Sequence, residues 1–394
     1  MLVRPFLVLC LVLAAAPATA AETSLDFTTA QERAAERDVP IVIDFFTDWC
    51  VYCKHFDRDL ADASTGVAAA LDDAVFLSID AEKGEGIELA KKYTVTGFPT
   101  YVVVDAQGEL IDRWAGYGGP EHFLTALDEA MADTRTLAAK RAAFEERPTA
   151  ALAEKFASIE SGTGNYDAAI ALYEQAEELD SARDHAAEIL QARFMKLRRG
   201  VAGYDLDAFV ADARSAALTD DADPALVVMT SQMVGTMAQR AGRPELERPF
   251  LEAALRALET AGPDEVDPRS RAAIEIAGHL RITGDTQQAV AAKKSTLPEG
   301  WRDDADQLNS FAWWCFENDV DLAEAEQLAR RGVELAQPGK QKAQVLDTAA
   351  EICNARGNCR DAVTLIERAI AEAPDDGYYQ QQLERFQKIL ASTE

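Results

Sequence analysis

The chain has 394 residues, 48% of them hydrophobic, and a formal net charge of −29. That length asks for about two domains, and that hydrophobic share supports real cores. The acidity argues against nucleic acid and anionic membrane surfaces as partners, and reads as solubility.

Residues 1–20 have the pattern of an export signal. Arg4 supplies the positive start, Phe6 to Ala16 an apolar core too short for a membrane span, and Ala18, Thr19 and Ala20 a small-residue cleavage site. Cleavage after Ala20 predicts an exported chain, and the alanine-rich signal points to a bacterial periplasm. No later stretch reaches the length of a span. The oxidising compartment permits disulfides. Cys10 falls in the signal, which leaves Cys50, Cys53, Cys315, Cys353 and Cys359. An odd count leaves at least one thiol free or paired outside the chain.

Thr28 to Asp38 predicts a short amphipathic helix ended before Pro40. The apolar run Ile41 to Phe46 predicts a strand buried on both faces, followed by a helix over Val51 to Ala61. Val75 to Ile79 predicts a second strand and Ile87 to Tyr93 a helix. A hairpin follows, Tyr101 to Asp105 and Glu109 to Trp114 around a turn at Ala106, Gln107 and Gly108, then a helix over Glu121 to Met131. This order predicts a central sheet with helices on both faces.

From about Thr134 the strand signals stop and helical periodicity takes over. The heptapeptide from Gly164 to Ile170 aligns with those from Gly284 to Val290 and from Gly357 to Val363, and a looser copy runs through Asn318, Ala325, Gly332 and Pro338. The repeated unit is a helix, a glycine-centred turn and a second helix with a small residue where the pair crosses. It resembles the tetratricopeptide repeat, which implies a solenoid whose concave face binds protein segments. Residues 200–268 fit the repeat least. The expected organisation is a signal over 1–20, an α/β domain over 21–132, a connection over 133–148 and an all-α repeat domain over 149–394.

Chemistry concentrates at Cys50 and Cys53, where the first strand hands over to a helix. A thiol at a helix N-terminus feels the positive end of the macrodipole and free backbone N–H groups, which favour the reactive thiolate. The second cysteine, one turn later, is placed to attack a mixed disulfide made by the first. A zinc site is not expected, because the four histidines, at 55, 122, 185 and 279, are not paired at ligand spacing. His55 reads as a surface helix residue, with an electrostatic effect on Cys50 as the alternative.

Asp44 before the segment Trp49-Cys50-Val51-Tyr52-Cys53-Lys54, then Gly97, Pro99, Thr100 and Gly116, resembles the thioredoxin superfamily over residues ~25–132. The segment Asp48 to Lys54 is similar to the thioredoxin-like C-terminal domain of periplasmic transmembrane thiol reductases. The resemblance implies an oxidoreductase without a cofactor. Cys50 would attack and Cys53 resolve, while Asp44 would take the resolving thiol's proton. Trp49 would shape the client surface, a cis Pro99 would face the dithiol, and Phe98 would offer a backbone edge to a client strand. The family's usual lysine near the carboxylate is missing, with Phe76 in its place. Protein disulfide clients and a membrane thiol reductase as electron donor are the implied partners. Two other readings stand beside reduction: a disulfide-donating oxidase or isomerase, and a repeat-based adaptor with a redox-sensing dithiol.

Cys353 and Cys359 fall on the two helices of the last repeat, in positions facing each other, and are expected to form a structural disulfide, with two buried apolar thiols as the alternative. Cys315, Trp301, Trp313 and Trp314 read as core.

Overall fold

A computed structural model describes residues 25–219 and 221–393. The expected signal over 1–20, with Cys10, lies outside the described residues. The first part runs α1 (Phe27–Arg37), β1 (Ile41–Phe46), α2 (Val51–Ala61), α3 (Val67–Ala70), β2 (Val75–Asp80), α4 (Gly86–Lys92), β3 (Thr100–Val104), β4 (Leu110–Ala115) and α5 (Pro120–Ala132). The strands form one sheet in the order β2-β1-β3-β4, with β1 and β2 parallel and the other pairs antiparallel.

Alternation along β1 divides the core. Ile41, Ile43 and Phe45 pack with Phe27, Ala30 and Ala34 of α1 and with Leu89 and Tyr93 beside α4. Val42 points the other way, among Phe56 of α2, Val67 of α3 and Phe123 and Leu127 of α5. Both faces are covered, so β1 is apolar throughout except at Asp44.

The edge strand β4 is sealed by the helices that follow, α6 (Leu137–Glu146) and α7 (Ala150–Thr163), the latter paired with α8 (Tyr166–Leu179). Asp112 of β4 is fully buried. Lys155 of α7 donates to its Oδ2 at 2.8 Å, and the Nζ of Lys140 in α6 lies 3.8 Å from the same oxygen. Lys140 is itself buried and donates to the carbonyl of Ile111 at 3.0 Å, capping an acceptor that an open sheet edge would leave bare. Buried charges persist only when paired and hydrogen-bonded, so this triad ties α6 and α7 to the sheet.

By its internal contacts the chain divides into two compact units, between Ala192 and Arg193, inside α9 (Ala186–Arg198). The segment expected as a connection, 133–148, is largely α6. The first helical pair, α7 and α8, belongs to the unit that holds the sheet. The composition changes where strands stop, whereas the contacts continue because Lys140 and Phe144 are buried and half-buried Lys155 reaches Asp112.

The second unit is helical over its described residues: α10 (Leu206–Ala217), α11 (Pro224–Arg240), α12 (Arg248–Thr260), α13 (Pro268–Gly278), α14 (Thr286–Ser295), α15 (Ala305–Glu317), α16 (Leu322–Leu335), α17 (Lys340–Ala355), α18 (Cys359–Glu372) and α19 (Gly377–Thr393). The aligned glycines Gly164, Gly284 and Gly357 all end helices at positive φ, 86°, 69° and 82°, where a Cβ is disfavoured. Trp301 packs on Phe311, with ring centres 5.3 Å apart, and Phe311 stacks on Trp314. Cys315 is fully buried among them, and burial pushes its thiol up to about 12.

The expected disulfide between Cys353 and Cys359 is not formed; both are free, buried thiols. Each has its own partner. The guanidinium of Arg330 on α16 reaches Cys353 Sγ at 3.4 Å, alongside Glu326 at 2.8 Å and Asp361 at 2.9 Å. Cys359 Sγ instead faces Asn354 Oδ1 at 3.6 Å.

Two measurements check these points. Asp112→Ala strands the buried Lys140 ammonium and is expected to cost about 3–5 kcal/mol in urea denaturation; a loss below ~1 kcal/mol would mean that the triad does not hold the edge. Alkylation of the non-reduced, denatured protein followed by peptide mass mapping is expected to label Cys315, Cys353 and Cys359. A 353–359 crosslink in that map would overturn the assignment.

Candidate functional site

Cys50 is the N-cap of α2, and its Sγ accepts the backbone N–H of Cys53 at 3.0 Å. It is bonded to Cys53, and both sulfurs are buried, with Cys50 4% and Cys53 2% exposed. When the bond is reduced, the same N–H and the helix dipole stabilise negative charge on Cys50 Sγ. Around the dithiol the surface is apolar and open: Trp49, Val51 and Tyr52 are each about 60% exposed.

Trp49 is fixed on two sides. Its Nε1 donates to Glu82 at 3.0 Å, and its ring meets that of Phe98 edge-on, 5.7 Å between centres. Lys83 braces the same rim, bridging Asp48 at 2.5 Å and Asp80 at 2.7 Å. The contact with Phe98 brings the Phe98–Pro99 peptide, which is cis, beside the residue preceding Cys50. Among the described residues nothing hydrogen-bonds the backbone of Phe98. Its neighbours are pinned: Gly116 N–H donates to Pro99 O at 2.8 Å, Thr100 Oγ1 to Gly97 O at 2.8 Å, and Arg113 Nη1 to the carbonyls of Tyr93 and Thr94. The result is a bare backbone edge held rigid at both ends. His55 meets Tyr52 edge-on at 5.8 Å, on the outer side of α2.

Asp44 sits on the α2 face of the sheet, 1% exposed. Ser78, directly opposite on β2, donates to Oδ2 at 2.9 Å, while Oδ1 is buried without a partner. Desolvation pushes this carboxyl up to about 7; the Ser78 hydrogen bond opposes the rise and Asp57 adds to it. Tyr101, its register partner on β3, also has a buried, unpartnered hydroxyl. Phe76 pairs with Val42 and packs, half-buried, on Phe56, so that place on β2 borders the core.

Ser78 was not singled out from the sequence. Only the strand register brings the two together: Asp44 is the fourth residue of β1 and Ser78 the fourth of β2, side by side in the parallel pair.

The family model described as a thioredoxin-like domain matches residues 27–131. Residues 27–131 are a thioredoxin-like domain. Curated relatives include the thiol:disulfide interchange proteins DsbD of Ralstonia nicotianae, 37% identical over 95 residues, and of Cronobacter sakazakii, 36% identical over 96. Each match covers 23% of this chain, and the chain spans only 16% and 17% of those relatives' lengths. Among solved structures, a thioredoxin from Thermus thermophilus is 30% identical over 26% of this chain and 82% of its own, with a TM-score of 0.24. YrrB, a tetratricopeptide repeat protein, is 19% identical over 62% of this chain and 96% of its own, with a TM-score of 0.30. The helix pairs themselves define the second part of this chain as an all-α array resembling tetratricopeptide repeats. No helix among the described residues is long and apolar enough to cross a membrane.

The carboxyl of Asp44 sets a pH dependence. With a folded pKa near 7, above the ordinary 3.8, the native state holds a proton that the unfolded chain releases. Its favourable contribution is complete below pH ~4 and is lost as pH rises through ~7, a span worth about 4 kcal/mol. Asp44→Asn is therefore expected to exceed wild type in stability at pH 8 and to approach it at pH 4. Urea midpoints at the two pH values decide this, and an equal offset at both would remove Asp44 as the titrating group.

Proposed function

We propose that this chain is an exported, periplasmic thiol–disulfide oxidoreductase that reduces disulfides of protein clients. The observation that carries the reading is the Cys50–Cys53 pair at the start of α2, next to the free backbone edge of Phe98. In the reduced protein the Cys50 thiolate attacks a client disulfide. One client sulfur leaves as a thiol and the other stays bonded to Cys50. Cys53 then loses its proton and attacks Cys50 Sγ, which releases the second client thiol and closes the Cys50–Cys53 bond. Two electrons pass to the client.

Asp44, on the sheet face against which α2 packs, is the acceptor for the Cys53 proton. A carboxyl poised near neutrality takes and returns a proton at small cost. Trp49, Phe98 and Pro99 bind the client, whose extended segment pairs with the Phe98 backbone. The closed disulfide needs an external dithiol to reopen it, and a membrane thiol reductase is the proposed donor. The resemblance of Asp48 to Lys54 to the thioredoxin-like domain of periplasmic transmembrane thiol reductases favours this direction over oxidation. The helical repeats hold clients or partner proteins.

The reduction potential of the couple, from equilibration with dithiothreitol buffers, tests the direction. A value near −270 mV, the figure for thioredoxin, is expected; one near −120 mV would make the protein an oxidant. Absence of any reversible couple would leave the repeat-based adaptor as the reading.

A further inference from the structure

The loop that presents Phe98 and Pro99 is anchored at both ends within the sheet domain. At its start Val95 N–H donates to Ala90 O at 2.8 Å and Arg113 clamps the carbonyls of Tyr93 and Thr94; at its end Gly116 holds Pro99 O. Between these anchors, outside the internal bond from Thr100 to Gly97, one hydrogen bond reaches the loop among the described residues. Thr96 Oγ1 donates to the carbonyl of Gly162 at 2.9 Å.

Gly162 lies in the same compact unit but outside the thioredoxin-like residues 27–131. It lies in the last turn of α7, the first helix of the repeats. The final carbonyls of a helix have no partner inside it. Here Glu160 O receives Asn165 N–H at 2.8 Å and Ser161 O receives Gly164 N–H at 3.1 Å, which leaves Gly162 O for an outside donor. The approach is close: a Cβ placed on Gly162 would lie 3.9 Å from the Cβ of Ala115, the residue next to Gly116. α7 in turn is held by Lys155 on buried Asp112 and by Arg141 of α6 on Glu160 at 3.1 Å. A continuous set of contacts thus runs from the buried edge-strand carboxylate, along α7, into the middle of the client-facing loop.

We propose that Thr96 is a positioning residue for exchange with protein clients, through which the α7–α8 hairpin holds the Phe98–Pro99 loop in its client-accepting form. The proposal rests on the oxidoreductase reading above. It separates two kinds of substrate. A protein or peptide disulfide must lay its backbone along Phe98, and feels the loop's order. A small disulfide reaches Cys50 without that edge and does not.

The experiment uses the reduced full chain, with insulin as protein disulfide and bis(2-hydroxyethyl) disulfide as small disulfide. Thr96→Val keeps the shape and removes the donor. Its exchange rate with insulin is expected to fall about five-fold, the share of one hydrogen bond, as a raised KM with kcat little changed. Its rate with the small disulfide and its reduction potential should stay as in wild type. Thr96→Ser, which keeps the hydroxyl, should restore the insulin rate. Unchanged insulin kinetics in Thr96→Val would overturn the proposal, and so would equal losses with both disulfides, which would place the effect at the dithiol or in the fold. Failure of the wild type to reduce either disulfide would instead sink the oxidoreductase reading.

Discussion

The carboxylate of Asp112 is buried at the outer edge of the sheet, and the organisation of the first unit depends on it. An ionised group there persists only with opposite charges beside it, and beyond the Arg113 N–H that its own strand gives to Oδ1 these come from outside the sheet. Lys140 and Lys155 supply them, and both come from the helical sequence. The pairing closes the unpaired side of β4 and fixes α6 and α7 against it. Everything placed by α7 follows, including the Gly162 carbonyl beside the Phe98–Pro99 loop.

The dithiol site shows a second balance of burial against polarity. Cys50 gains an N–H donor and a helix dipole, so its charged form is favoured once reduced. Asp44 has one hydroxyl for two carboxylate oxygens and, among the described residues, no paired cation, so its neutral form is favoured. Two ionisable groups in one small domain are thus pushed in opposite directions by their surroundings. That arrangement sets the protonation preferences of the two groups apart within one fold.

The α/β part was legible because its signals are local. The apolar run Ile41 to Phe46, the cysteine pair after it and the turn glycines each fit one element only, and observed strand and helix ends lie within a few residues of those expected. The glycine-centred heptapeptides likewise marked helix ends at Gly164, Gly284 and Gly357. Three things were not legible. Ser78 becomes the partner of Asp44 only through strand register. Cys353 and Cys359 are close in sequence, yet helix geometry turns one thiol to Arg330 and the other to Asn354. The end of the first unit at Ala192 lies far beyond the change of texture near Thr134, and composition carries no mark of it.

The position of that boundary bears on how such a chain can be built by recombination. The change in residue texture near Thr134 suggests a seam where an ancestral redox module met an ancestral helical array. A module cut there would carry away a sheet whose edge retains Asp112 but has lost Lys140 and Lys155. The structural unit is therefore the sheet together with α6, α7 and α8, and a cut that keeps the edge strand closed has to keep that hairpin. Helical pairs beyond α9 carry no such obligation to the edge strand.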